Sequence, residues 1–450
     1  MKVKGKIGRG AGNSALLNAI SGVVAFRSVG ILFTFFAMPL YFSIIPNRST
    51  LGVWFALLGV LTWILNLDLG LSNGLRHYAV VAISEDDNRA LRRYVSSTYA
   101  GTVGSSMLIF LIGAVLIWWH RESANQNDFS SSVDWTSTYF MALAGVSLQL
   151  ALRPVVSLLY ALQRPVIPAA LGCISNVLIV LLLWLGQTMS FGERGIVFAA
   201  ASYTFATVVP LIVATAYLFR GELHHARPAL SEVRAPVFVD VLRIGFGFLL
   251  LQLLYVLLTS SNATLIAVGF GAESSVDFQV YSRPYVAFSM FFTIAIAPVW
   301  SAVTKAVVEG KRRWVVNAWR LLLGGWLVAI LAMACFTVFA EPFFSLWLHG
   351  VDFEVDDGAL WFFAASASTV MLVSIVSALA NGARLIVSQA VLFSVGLALK
   401  LAIVRLAATG SGEWTVVVLS DVLSFAPYIV IQSLLVWRFL KSRAGVSAEP

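Results

Sequence analysis

An all-α, polytopic membrane protein with about twelve transmembrane helices is predicted by three features of this sequence: long apolar runs, scarce charge and short connections. Of 450 residues, 59% are hydrophobic and only 12% are charged, and mean hydropathy is +0.87. Soluble domains carry roughly 25% charged residues, so most of this surface is expected to face lipid. At about 20 apolar residues per crossing, the chain accommodates roughly twelve spans and leaves no length for a soluble domain.

The first span is expected at about 16–45. Its leader, MKVKGKIGRG, has the charge of a signal peptide, but the apolar stretch from Leu16 to Ile45 far exceeds an h-region of roughly 7–15 residues, so it reads as an uncleaved first helix. Five more spans are expected at about 51–67, 94–119, 136–160, 168–185 and 195–217. The most polar connection, Gly221 to Asp240, follows. Beyond it, spans are expected at about 239–268, 278–300, 317–340, 359–380, 387–406 and 415–439. Several are long and carry internal Pro or Gly, so tilt and kinks are expected. The central loop divides the chain into two predicted lobes, 1–225 and 226–450, each with six helices. A weak repeat supports the division: the turn after the fourth span runs from Ser157 to Arg164, and the one after the tenth from Ser374 to Asn381. Two similar six-helix bundles are what rocking around a central site requires.

Lys and Arg set the orientation. The N-terminal side carries the basic leader, Arg89, Arg92, Arg93, Arg227, Arg234, Lys311, Arg312, Arg313 and Lys441, whereas the opposite side carries only Arg48, Arg121 and Arg194 beside Asp352, Glu354, Asp356 and Asp357. Both termini are therefore expected on the cytoplasmic side of the membrane.

Several function classes are excluded by what accompanies these spans. The charge of +8 is spread over short loops facing an anionic leaflet, which argues against nucleic acid. Cys173 and Cys335 lie inside apolar runs, so neither a disulfide framework nor a metal site is indicated. His224 and His225 stand together in the central loop without ligand-like company. There is no Ser/His/Asp arrangement, no phosphate-binding Gly-rich loop and no metal-ligand spacing, and no cofactor is implied. The outward loops, around His120–Trp135 and Glu341–Gly358, are too short for an outward catalytic domain, so an enzyme is not expected.

Charges inside the spans carry the sharpest information, because each is costly in lipid unless it faces a partner, a cavity or the bundle interior. They are Arg27, Asp68, Arg153, Arg283, Lys400, Arg405 and Asp421. Arg27 lies roughly 16 Å into the first span, near the midplane. Arg153 precedes Pro154 and Arg283 precedes Pro284, placing each guanidinium where proline can bend a helix. Guanidinium pairs bidentately with phosphate oxygens, so Arg27, Arg153, Arg283 and Lys400 are the candidate substrate-binding residues for an anionic cargo. The competing reading of each is an ion pair that holds helices together. Lys400 and Arg405 approach the far end of the eleventh span, where long side chains snorkel. Asp421, in the first turns of the twelfth, reads as interfacial. Asp68 lies in a polar, Gly-broken stretch from Asn66 to Arg76, with Ser72, Asn73 and Gly74 expected to form the turn. It is the ion-coupling candidate, with a helix cap or a partner for Arg27 or Arg76 as the other reading.

Leu51-Gly-Val-Trp-Phe-Ala-Leu-Leu58, Leu67-Asp-Leu-Gly-Leu-Ser-Asn-Gly-Leu-Arg76 and the acidic-basic stretch Glu85–Arg93 resemble bacterial polysaccharide-lipid flippases of the Wzx type. These belong to the multidrug/oligosaccharidyl-lipid/polysaccharide (MOP) exporter superfamily. Tyr281-Ser-Arg283, Ala297-Pro-Val-Trp300 and Leu346-Trp-Leu348 extend the likeness along nearly the whole chain. The resemblance implies two six-helix lobes that flip a polyprenyl-pyrophosphate-linked oligosaccharide, such as an O-antigen precursor, between leaflets. It also implies a coupling cation, H+ or Na+, and a polysaccharide polymerase as candidate protein partner. The runner-up is a drug exporter of the same superfamily, although cationic drugs favour an acidic cavity and this one reads basic.

Overall fold

The computed structural model describes residues 9–66, 70–124, 133–189, 191–309, 311–349, 351, 353, 355–383, 385–410 and 412–446. Among these, all regular structure is helical, as the backbone must be when lipid offers it no hydrogen-bond partner. The first eight α-helices are α1 (Arg9–Ile44), α2 (Arg48–Asn66), α3 (Leu71–Ser84), α4 (Asn88–Ala124), α5 (Trp135–Leu152), α6 (Pro154–Ala161), α7 (Val166–Gln187) and α8 (Gly195–Arg220). They are followed by α9 (Ala235–Ser260), α10 (Asn262–Phe270), α11 (Ala272–Val308), α12 (Arg312–Val338), α13 (Ala340–Trp347), α14 (Asp357–Gly382), α15 (Ile386–Thr409) and α16 (Thr415–Val446). Ten described helices are long and apolar enough to cross a membrane, and α9 with α10 makes an eleventh as a pair bent by 49°. The remaining expected span, 278–300, falls on α11.

Three local features depart from the sequence reading. The fourth expected span is broken in two, with Arg153 in the turn and Pro154 opening α6. Proline there has no N–H to offer, a loss that costs nothing in a first turn. Arg283-Pro284 does not repeat this arrangement, since α11 continues through it. The turn expected at Ser72–Gly74 lies instead at Gly70, whose φ of 72° needs a residue without Cβ, and residues 71–84 form α3. Leu75, Ala79 and Ala82 of α3 share one face and bury against Leu91 and Val95 of α4 and Val155, Leu158 and Leu159 of α6, a 3.6-period stripe too short to read as a span.

The chain divides into two compact units. One comprises Met1–Ile45 and Leu67–Leu249, the other Pro46–Asn66 and Leu250–Pro450. Within the first unit, the central connection is fastened rather than loose. The N–H groups of Ala229 and Arg234 donate to the hydroxyls of Ser96 and Ser97 on α4, each at 3.1 Å, and Arg227 Nε donates to Phe219 O at 2.7 Å.

The second unit includes α2, and the reason is its small-residue stripe. Gly52, Ala56 and Gly59 recur at helical spacing and let backbones approach closely. A Cβ on Gly52 would stand 1.7 Å from Ala272 O, and one on Gly59 would meet Thr264 at 3.1 Å. Polar groups then join the same helices: Thr264 Oγ1 donates to Ala56 O at 3.1 Å, and Trp63 Nε1 to Ser260 O at 3.3 Å. Arg48 closes the end of this seam by pairing with Asp277 of α11.

Candidate functional site

Six of the seven charges expected inside a span are described, Arg405 being exposed near the end of α15, and each is placed within its own unit. In the first, Arg27 lies on α1 one turn before Gly30, whose carbonyl accepts from Asn176 Nδ2 of α7 at 3.1 Å; its side chain is exposed rather than packed. Arg153 is half-buried in the turn between α5 and α6. Arg76 is exposed on α3 and stacks over the Tyr160 ring at 4.8 Å. Asp68, the ion-coupling candidate, lies outside the described residues.

In the second unit, Arg283 is half-buried on α11. Tyr281 and Tyr285 flank it and are nearly inaccessible, at 3% and 1% exposure. Tyr285 shares a hydrogen bond with Thr337 at 2.8 Å, and the Tyr281 hydroxyl accepts from the Asp356 N–H at 2.7 Å. The Tyr281 ring packs with Phe344, Phe353 and Phe363. Because Arg283 is two residues from either tyrosine, its Cα–Cβ direction leaves that aromatic stripe by about 200°.

Lys400 and Asp421 stand differently from the sequence expectation. Lys400 does not snorkel and Asp421 is not at an exposed interface, for they are 0% and 3% exposed and form an ion pair at 2.7 Å. Nζ of Lys400 also donates to Asn262 Oδ1 at 2.6 Å and to the carbonyl of Leu258. An ammonium has three donors, and all three are used. The other carboxylate oxygen of Asp421 accepts from Asn262 Nδ2 and from Ser366 Oγ, both at 2.8 Å. The Asn262 amide bridges the pair, its oxygen toward the ammonium and its nitrogen toward the carboxylate. This is a closed network in which every charged atom has a partner, the condition under which an ion pair survives apolar surroundings.

Five elements converge here, α14 supplying Ser366 and the other four for local reasons. The break between α9 and α10 at Ser261 leaves the last carbonyls of α9, Leu258 among them, without partners in their own helix. Asn262 opens α10 at that break. Lys400 lies nine residues before the end of α15, about 14 Å in, and Asp421 six residues after the start of α16, about 9 Å in. The meeting point is therefore off the middle of these helices, toward the end at which both are joined.

The sequence reading found Lys400 and Asp421 but did not join them, and it missed Asn262 and Ser366. A signal was available: Thr259-Ser-Ser-Asn262 is a polar run inside an otherwise apolar segment, the pattern of an interrupted membrane helix. It also missed the pairing of Asp277, because Arg48 is distant in sequence and was read as a loop charge. Among the described residues, no group of His, Cys, Asp and Glu is arranged to hold a metal ion.

No family model matches the chain, and no curated protein matches it. Solved structures do. An inward-facing conformation of a multidrug resistance MATE family transporter of the MOP superfamily aligns with a TM-score of 0.75 and 15% identity, over 95% of this chain and 100% of that one. An outward-facing conformation of such a transporter aligns at 0.64 with 15% identity, over 94% and 96% of the two chains. A MOP superfamily transporter from Pyrococcus furiosus, described as having a binding pocket of reverse polarity that suggests a different function, aligns at 0.61 with 16% identity, over 95% and 96%. The polytopic all-α architecture read from the sequence is thus the fold of the MATE transporters of the MOP superfamily.

Proposed function

We propose that this chain is a transporter that moves a lipid-pyrophosphate-linked oligosaccharide from the cytoplasmic to the outer leaflet of a bacterial inner membrane by alternating access between two lobes. The observation that carries the reading is the excess of positive charge within the spans. Asp421, inside a span, is engaged by Lys400, and Asp277, at the margin of the expected span 278–300, by Arg48. Arg27, Arg153 and Arg283 add three further guanidiniums, which suits an anionic headgroup. Lys400 is left out of this set, because its donors are committed elsewhere. Asp68 is retained as the coupling residue for H+ or Na+, and a polysaccharide polymerase as the partner that receives the product. The polyprenyl tail stays in lipid while the headgroup crosses.

The second reading, a small-molecule exporter, is favoured by the likeness to transporters described as multidrug resistance proteins. That one MOP transporter is described with reversed pocket polarity supports a cargo other than cationic drugs for a basic relative. Reconstitution separates the readings. Purified protein in vesicles should expose a fluorescent undecaprenyl-pyrophosphate oligosaccharide to an external glycosidase. A protein that moves cationic dyes and leaves the lipid-linked sugar where it was would be an exporter.

A further inference from the structure

The pocket around Lys400 has the donor chemistry of a small-cation site. A main-chain carbonyl, an amide oxygen and a carboxylate oxygen, from Leu258, Asn262 and Asp421, converge on one point. Hard monovalent cations take such oxygen ligands, and broken membrane helices supply them where the last carbonyls of a half-helix are released. The net charge of the three ligands is minus one, so a single positive charge balances them. Here that charge is the chain's own ammonium.

A simple ion pair would need only the carboxylate. Instead, the oxygens are held in place by bonds that do not involve Lys400. Asp421 Oδ2 is fixed by Asn262 Nδ2 and by Ser366 Oγ, so the first carboxylate oxygen stays aimed at the centre. The same Asn262–Asp421 bond fixes the amide with its oxygen facing inward. Removing the lysine side chain leaves these two bonds and the carbonyl of the α9 break intact, together with the space its methylenes occupied. The site is closed: Asp421, from α16, is the one carboxylate paired with Lys400 among the described residues, and α10 and α14 contribute neutral groups.

We propose that Leu258 O, Asn262 Oδ1 and Asp421 Oδ1 form a monovalent-cation site whose occupant is tethered, the Lys400 ammonium standing where a free sodium ion would bind. The wild-type chain accordingly takes no sodium at this position, and shortening Lys400 turns it into a sodium site. This stands apart from the identity of the cargo.

Thermal unfolding of the full-length protein in detergent tests it, in NaCl, KCl and choline chloride at equal ionic strength. Wild type and Asp421→Asn should respond alike to the three salts, since no free sodium sits at this pocket. Lys400→Ala should unfold several degrees lower in choline chloride and recover with a saturable dependence on sodium, and Lys400→Ala/Asp421→Asn should lose that recovery. Folded Lys400→Ala protein whose unfolding ignores sodium would overturn the proposal. So would a sodium-dependent rise in wild type that Asp421→Asn abolishes, which would mean that a free ion already occupies the pocket. If Lys400→Ala cannot be extracted folded, Lys400→Gln, which keeps a polar end and the charge vacancy, is measured in the same salts with the same two outcomes.

Discussion

Gly396 on α15 approaches α16 so closely that a Cβ there would stand 2.5 Å from the carbonyl oxygen of Ser424. Counting one turn forward on α15 and back on the antiparallel α16 arrives at Lys400 and Asp421, the buried ion pair. The absence of a side chain at one position thus sets the separation at which the next turn can form a charge contact.

Gly396→Ala should therefore act on the ion pair although it touches neither partner. The obstructing atom is backbone, so the helices must separate, and overpacking of this kind costs about 1–3 kcal/mol. Thermal unfolding in detergent measures the loss. An alanine variant as stable as wild type would mean that the two helices slide past each other freely.

Lys400 and Asp421 should show strong mutual dependence. Removing either alone leaves a buried charge uncompensated, at about 3–5 kcal/mol, whereas Lys400→Met/Asp421→Asn removes both charges together. The double variant is expected to be less destabilised than the sum of the singles in a double-mutant cycle. Additive losses would show that the pair contributes packing but no coupled charge.

Two glycines offer a contrast. Gly52→Ala should disrupt the seam between α2 and α11, since its Cβ would overlap Ala272 O. Gly104, within α4, has nothing within 4 Å of a Cβ, and alanine there should stabilise by about 0.5–1 kcal/mol through helix propensity. Equal effects of the two substitutions would argue against close packing along α2.

Arg27, Arg153 and Arg283 should respond to Lys more than a point-charge role allows. Lysine keeps the charge but loses the planar fork that pairs with phosphate oxygens, so each Arg→Lys variant should flip substrate more slowly at unchanged membrane abundance. Arg27→Ala/Arg283→Ala should abolish surface polysaccharide in a flippase-deficient strain. A well-expressed double variant with normal polysaccharide would rule out the headgroup role.

Topology is expected to follow the basic residues. Single cysteines at Arg234 and Asp356, in a background lacking Cys173 and Cys335, should label from opposite sides of the membrane. Labelling of both from outside intact cells would contradict the orientation.

Most of the helices were legible in the sequence because lipid imposes one requirement at every position of a span: apolar side chains over a self-bonded backbone. The runs at 195–217 and 359–380 sit within α8 and α14 on that ground alone. The misses have physical causes of their own. Arg153-Pro154 and Arg283-Pro284 share a dipeptide, yet one breaks its helix and the other does not. α3 was invisible because its apolar face is covered by α4 and α6 rather than by lipid, and the stripe of Leu75, Ala79 and Ala82 runs over too few turns to read as a span.

By itself, the sequence determined that the chain lives in a membrane, roughly where it crosses, and which charges fall inside the spans, since hydropathy and charge cost depend on residue type and spacing alone. Tertiary structure decided which of those charges meet. Lys400 and Asp421 are 21 residues apart, Lys400 and Asn262 138, and Arg48 and Asp277 229. No periodicity links such positions. A buried charge requires a partner but does not specify one. The choice fell to helix packing, through the close approaches at Gly52 and Gly396 and the break at Ser261, which bring particular turns within hydrogen-bonding distance.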